Sequence, residues 1–328
     1  MSPRVAFPSA TASVAREIEE RLSEPRSIIT FDEEISDPEA IELLIAGRPS
    51  AEQLSALPKL NTVLIPFAGV PKVTSEVLAD RTDLALHNLH HNAAPTAEMA
   101  VALVLAAAKE VLPLDRKLRG GDWRPRYDFS AGTLLEGKTA LVLGYGAIGR
   151  RVARICRAFG MNVTATRRGP VNANDETDAD GVRVIATSAQ SDWWPQAHFV
   201  LVTLPHTPET DRLLDAAALA ALPDGAVVVN VGRAAIIEEA AFFDELASGR
   251  LRAGIDVWYQ YPESEEERAN TLPSKRPFHE LDNVVLSPHR AGHTDAVDGL
   301  RADHLVDVIQ RFVAGEPLPH RVDLARGY

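Results

Sequence analysis

The residues whose spacing first suggests chemistry are the glycines of Gly144-Tyr145-Gly146-Ala147-Ile148-Gly149. A Gly-x-Gly-x-x-Gly run lets backbone amides approach a pyrophosphate when a strand precedes it and a helix N-terminus follows. The spacing alone is weak, since glycines also end strands for structural reasons. Here the apolar run "TALVL" comes before it and "RRVARICRAF", apolar on one helical face, comes after. That context predicts dinucleotide binding through Gly144, Gly146, Ala147, Ile148 and Gly149. The next strand should end in the residue that meets the adenosine ribose, usually an acid in NAD sites because a carboxylate accepts from the ribose hydroxyls and repels a 2′-phosphate. This strand ends "NVTATRRGP", with Arg167 in the acidic position and Arg168 after it. Two cations there predict NADP rather than NAD. A plain pair of surface arginines would leave the missing acid unexplained.

Short β-branched runs alternating with helical patterns must position these residues, and they predict parallel α/β units. Strands are expected near Val5-Phe7, Ile28-Thr30, Ile41-Ala46, Thr62-Phe67 and Leu84-Leu89, the makings of a smaller flavodoxin-like, doubly wound domain. One long helix is expected from near Pro95 through "EMAVALVLAAAKEVL". Further strands at Thr139-Gly144, Asn162-Thr166, Arg183-Ile185, Phe199-Leu204, Ala226-Val231, Ala253-Asp256 and Val284-Ser287 predict a Rossmann sheet. The final "HTDAVDGLRADHLVDVIQRFVAGEPL" reads as an amphipathic helix returning to the first domain. The expected division is a substrate-binding domain over 1–105, completed by 295–328, and a dinucleotide-binding domain over 106–294. Charged loops at Asn172-Asp180 and Glu263-Arg268 read as solvated turns.

The 328 residues, 45% hydrophobic and 24% charged, have the balance of a soluble two-domain protein. A formal charge of -12 argues against nucleic-acid or anionic-membrane partners. The longest apolar run, Met99 to Ala108, is too short to cross a bilayer, and "MSPRVAFPSA" lacks a signal peptide's apolar core. The single cysteine, Cys156, reads as a core thiol in a reducing cytoplasm. No cluster has convincing metal-ligand spacing, that of His90 and His91 with His87 included, and His90 and His91 read as a solvated loop pair at least as readily as pocket liners.

Three later segments, "VVVNVGRAAIIEEAAFF", "AGIDVWYQYP" and "NVVLSPHRAGHT", together with the glycine loop, resemble in order and spacing the D-2-hydroxyacid dehydrogenase family. The resemblance is tightest from Gly137 to Thr294. It implies that Arg233 binds the substrate's carboxylate and carbonyl oxygens, that His289 exchanges the carbonyl proton, and that Asp256 lies near the nicotinamide carboxamide. The implied cofactor contacts are completed by Leu204, Pro205, Val231, Gly232, His289 and Gly292. In the first domain "PFAGV" nominates the Ala68 and Gly69 amides for the substrate carboxylate, and Asn92 matches the polar position ahead of the family's helix. Phe67, Lys72, His90 and His91 are further candidates for the side-chain pocket. The family implies a small 2-keto or D-2-hydroxy acid substrate and a homodimer.

One departure is large. Members that reduce 2-keto acids carry a glutamate just before the proline that follows the Asp-Val pair, where it hydrogen-bonds the histidine; here that slot is Tyr261, before Pro262. Three readings stay open, in this order: Tyr261 orients His289 without charge, Glu263 swings in, or hydride moves without proton exchange as in the related formate dehydrogenases. A nucleotide-binding corepressor or redox sensor of the same fold is a further alternative.

Overall fold

The structure is a computed structural model that describes residues 4–127, 132–168, 176–324 and 326. Contacts divide the chain into two units, Met1–Asn92 with His293–Tyr328, and Ala93–Gly292.

In the first unit, β1 (Val5–Ala6), β2 (Ile29–Thr30), β3 (Leu43–Ile45), β4 (Thr62–Ile65) and β5 (Ala85–Asn88) form a parallel sheet in the order β2-β1-β3-β4-β5. This is the flavodoxin-like order. Such strands are short apolar runs because helices cover both faces of a parallel sheet. One face packs under α1 (Ala12–Arg21) and the long helix near the chain's end, α10 (Val297–Ala314), with Val14 and Ile18 meeting Ala302, Leu305 and Ile309 in one core.

The second unit holds α5 (Ala93–Ala108), α6 (Val111–Arg119), β6 (Thr139–Leu143), α7 (Ala147–Ala158), β7 (Asn162–Arg167), β8 (Glu176–Thr177), β9 (Arg183–Ala186), β10 (Phe199–Val202), β11 (Val227–Asn230), β12 (Arg252–Ile255) and β13 (Val284–Leu286). Its sheet runs β13-β12-β11-β10-β6-β7-β9-β8, with β8 antiparallel on β9 and the other pairs parallel. β6 and β10 are neighbours, so the strand order reverses beside the glycine loop, where open α/β sheets bind ligands. Among the described residues no helix is long and apolar enough to cross a membrane.

Three expectations change. The long helix stops at Ala108, because Glu110 turns left-handed at φ 54° and pairs with Arg252 at 2.5 Å; α6 then starts at Val111. The chain passes between units at 92/93 rather than 105/106, since α5 packs its Ala97, Ala100 and Leu103 face into the second core. Its approach to β12 is close enough that a Cβ on Gly254 would lie 2.6 Å from the Leu103 Cβ. Strand β8 was not expected; it comes from the Asn172-Asp180 loop, whose residues 172–175 lie outside the described ones.

Five histidines gather in the first unit. The segment after α10 adds antiparallel to β5, with Val322 N–H donating to the Leu86 carbonyl at 2.8 Å and Asn88 N–H to the His320 carbonyl at 3.2 Å. His87 Nδ1 lies 2.7 Å from the Pro319 carbonyl, and the His90 and His320 rings are 4.1 Å apart. Burial pulls His90 down to about 4, helped by His320 and His304. It pulls His91 down to about 4 as well, with Arg301 and His304 assisting and Asp298 opposing. His87 and His320 are lowered too, again chiefly by burial. A histidine titrating near 6.5 when unfolded and near 4 when folded leaves the unfolded state holding more protons between those values. Stability is therefore full above about pH 6.5 and falls toward pH 4, by at most about 1.4 kcal/mol per pH unit for each such group. Urea unfolding at pH 7.5, 6.0 and 5.0 should show a steeper loss for the native chain than for His90→Gln. Equal slopes would mean that these imidazoles do not govern acid stability.

Candidate active site

The glycine loop is shaped by contacts that only glycine tolerates. Gly144 adopts φ 97°, and a Cβ on Gly149 would fall 1.8 Å from the Gly144 carbonyl oxygen. The Thr203 hydroxyl donates to the Leu143 and Gly144 carbonyls at 3.0 and 2.9 Å, and Gly144 N–H donates to Thr166 Oγ1 at 3.1 Å. These two threonines were not singled out by the motif; a hydroxyl ending a buried strand was the available signal. On the other side of the loop, a Cβ on Gly146 would meet no described atom within 4 Å. The first turn of α7 has no acidic side chain and Gly146 offers no cap, so its amides are suited to an anion. The residues fit a pyrophosphate. Opposite them a Cβ on Gly232 would lie 2.6 Å from the Leu204 carbonyl, so the ends of β10 and β11 meet there. Val231 and Pro205 flank this contact, and the Pro205 carbonyl accepts from the Thr210 hydroxyl at 2.8 Å.

Arg167 ends β7 with its side chain exposed. Arg168 pairs with Glu209 at 2.9 Å, so the two cations are not equivalent.

Arg233 leaves β11 through a turn built by Asn230, whose amide accepts from Gly232 N–H at 3.0 Å and donates to the Arg233 carbonyl at 3.0 Å. Asn230 was missed in the sequence, although a polar residue closing the apolar run "VVVN" marks it. The Arg233 side chain touches solvent, yet surrounding protein desolvates its guanidinium enough to lower its pKa, with Tyr261 acting in the opposite sense. It stays charged regardless, as arginine does.

The stretch Gly254-Ile255-Asp256-Val257-Trp258-Tyr259-Gln260-Tyr261 explains how His289 is held. Asp256 is 1% exposed. Its Oδ1 accepts from the Ser287 hydroxyl at 2.5 Å and Arg290 N–H at 2.8 Å, and its Oδ2 accepts from Ala291 N–H at 3.1 Å. The Trp258 indole donates to the Ser287 carbonyl at 2.7 Å. His289 sits between these anchored residues at φ 55°, a left-handed conformation uncommon outside glycine, with its N–H on the Ser287 carbonyl at 3.0 Å. Gly292 ends the unit one residue beyond Ala291. The Tyr261 hydroxyl lies 2.9 Å from His289 Nδ1 and accepts from Trp258 N–H at 3.0 Å. Burial raises the phenol pKa, while the Trp258 amide and Arg233 oppose, so the hydroxyl keeps its proton at neutral pH. Glu263 is exposed, and its N–H donates to Glu267 at 2.8 Å.

In the first unit the Ala68 carbonyl accepts from the Asn88 amide at 2.6 Å, which shapes the loop carrying the Ala68 and Gly69 amides. Asn92 Oδ1 and His91 Nδ1 are buried with no hydrogen-bond partner among the described residues. Phe67 fills the space that a Cβ on Gly47 would enter, and Lys72 extends outward toward Glu76. No group of three or more His, Cys, Asp or Glu among the described residues could hold a metal ion.

Residues 101–291 match the family described as D-isomer specific 2-hydroxyacid dehydrogenase, NAD binding domain. The chain belongs to the D-isomer specific 2-hydroxyacid dehydrogenase family, whose members are NAD(P)-dependent oxidoreductases. It is 33% identical over 293 residues to D-3-phosphoglycerate dehydrogenase of Mycobacterium leprae, covering 88% of this chain and 52% of that one. The chain thus spans about half the length of the curated relatives that head its matches. It is 27% identical over 302 residues to glyoxylate reductase of Korarchaeum cryptofilum, covering 91% of this chain and 87% of that one. Among solved structures it is similar to the D-isomer specific 2-hydroxyacid dehydrogenase of Xanthobacter autotrophicus Py2 in complex with NADPH and MES, at TM-score 0.80 and 27% identity over 100% of both chains.

Proposed function

We propose that the chain is an NADP(H)-dependent oxidoreductase that interconverts small 2-keto acids and D-2-hydroxy acids. The observation that carries this reading is the Tyr261 hydroxyl on His289 Nδ1, with Arg233 close enough to act on the same phenol. A tyrosine hydroxyl has one proton and two acceptor sites. Trp258 N–H occupies one acceptor, and the other can receive Nδ1–H of His289. With Nδ1 on the phenol, Nε2 is the atom proposed to serve the reacting oxygen. In reduction the imidazolium gives its Nε2 proton to the carbonyl oxygen and remains as the neutral Nδ1–H ring; in oxidation Nε2 takes that proton back. Arg233 uses one N–H on the Gly232 carbonyl at 2.7 Å and keeps others for the substrate's carboxylate and developing oxyanion. A bound nicotinamide supplies or accepts the hydride. Ala68, Gly69 and Asn92 are proposed as substrate contacts from the first unit. Asp256 serves above all as the anchor of the His289 turn, a role that its family likeness did not suggest.

The preference for NADP rests on Arg167, since Arg168 shares its charge with Glu209. A homodimer is proposed on the exposed apolar stripe of Val111, Leu114 and Leu118 on α6, continued by Trp123 and Tyr127, and the cytoplasm is proposed as its compartment.

Replacing Arg167 with Asp should weaken NADPH binding roughly ten-fold or more, the worth of one charge-assisted hydrogen bond, and NADH binding much less. Equal losses for both, measured by fluorescence titration, would remove the assignment. Tyr261→Glu places an anion on Nδ1, which stabilises imidazolium and raises the histidine pKa. Reduction needs imidazolium, so the falling limb of the kcat/KM profile for glyoxylate or hydroxypyruvate should move to higher pH. An unmoved limb would contradict proton transfer through His289, and no turnover of any keto acid by the native chain would contradict the reductase reading itself.

A further inference from the structure

The glycine loop carries a side chain that its backbone role does not require. Tyr145, between the first two glycines, is 5% exposed, and its hydroxyl donates to Asp178 Oδ2. Asp178 Oδ1 accepts from Asp180 N–H and Val182 N–H, each at 3.0 Å, which closes the turn between β8 and β9. That turn is tied to α7 by Arg154 on Asp180 at 3.4 Å. Above the fixed phenol ring lies Arg150, its guanidinium carbon 4.6 Å from the ring centroid. Arg150 belongs to the opening of α7, where its own N–H bonds the Gly146 carbonyl at 3.0 Å.

A cation at this end of a helix opposes the macrodipole. Arg151 beside it adds a second positive charge, and no acidic residue lies in the first turn to compensate. The aromatic face and the Asp178 charge hold Arg150 there by cation–π and Coulomb attraction. The unfavourable placement becomes favourable when an anion occupies the loop.

We infer that Arg150 is a binding residue for the dinucleotide's pyrophosphate, and that Tyr145 and Asp178 are positioning residues that hold its guanidinium beside the glycine loop. The inference rests on the reading of this loop as the dinucleotide site. It assigns the tyrosine of the motif a task separate from hydride or proton transfer.

Direct fluorescence titration of the full chain with NADPH and NADH, at low and moderate salt, tests it without turnover. Arg150→Gln should raise both dissociation constants by the same factor, about ten-fold, because the pyrophosphate is common to both cofactors, and should flatten their salt dependence. Tyr145→Leu should give a similar loss, and Tyr145→Phe, which keeps the ring, a smaller one. The double variant Tyr145→Leu/Arg150→Gln should be no weaker than the worse single variant, since both remove one contact. Unchanged constants in Arg150→Gln overturn the binding role, and a loss confined to NADPH reassigns Arg150 to the 2′-phosphate and overturns it too. Losses that multiply in the double variant overturn the positioning role of Tyr145. If Tyr145→Leu does not fold, Arg150→Gln and its combination with Tyr145→Phe decide the same questions. Failure of the native chain to bind either dinucleotide would instead dispose of the loop reading on which the inference depends.

Discussion

The placement of His289 depends on one buried carboxylate. Asp256 is almost fully removed from water and takes three hydrogen bonds, all from residues 287–291. A charge in that position is tolerated only when its oxygens are satisfied. The segment after β13 must therefore wrap around it, and the left-handed conformation of His289 is the result. Losing the carboxylate would leave two amides and a hydroxyl without partners and free the imidazole. The backbone on both sides of His289 is thus held by a carboxylate through Ser287, Arg290 and Ala291.

The same stretch brings the phenol into place. The indole of Trp258 fixes the Ser287 carbonyl, and its backbone N–H fixes the Tyr261 hydroxyl. Tyr259 stacks on Phe278 with centroids 6.1 Å apart and donates to the Ile237 carbonyl at 3.0 Å. A carboxylate at position 261 would add a charge next to the imidazole. The hydroxyl adds a hydrogen bond that constrains the ring's direction. Arg233 is then the permanent cation of the group.

Much of this was legible in the sequence because it depends on local pattern. The apolar runs marked the strands of both parallel sheets, and the glycine spacing marked a loop in which a Cβ at Gly149 has no room. Strand β8 escaped because two polar residues, Glu176 and Thr177, carry no periodicity. The break at Glu110 escaped because Lys and Glu favour helices; its left-handed turn is accompanied by the ion pair to Arg252, far away in sequence. The handover at 92/93 was invisible for a related reason. An alanine-rich helix fits either neighbour, and tertiary packing decides which one it joins. Asp256 could be read as a ligand contact or a turn residue, and only the positions of Ser287, Arg290 and Ala291 show what its oxygens do.

In the proposed reaction, hydride transfer is coupled to a proton carried by His289. Its most direct test is single-turnover reduction of glyoxylate by NADPH with native protein and His289→Ala, alongside NADPH affinity. General acid catalysis contributes about a hundred- to ten-thousand-fold, so the variant should lose turnover on that order while binding NADPH as before. Near-native rates in His289→Ala would contradict the account.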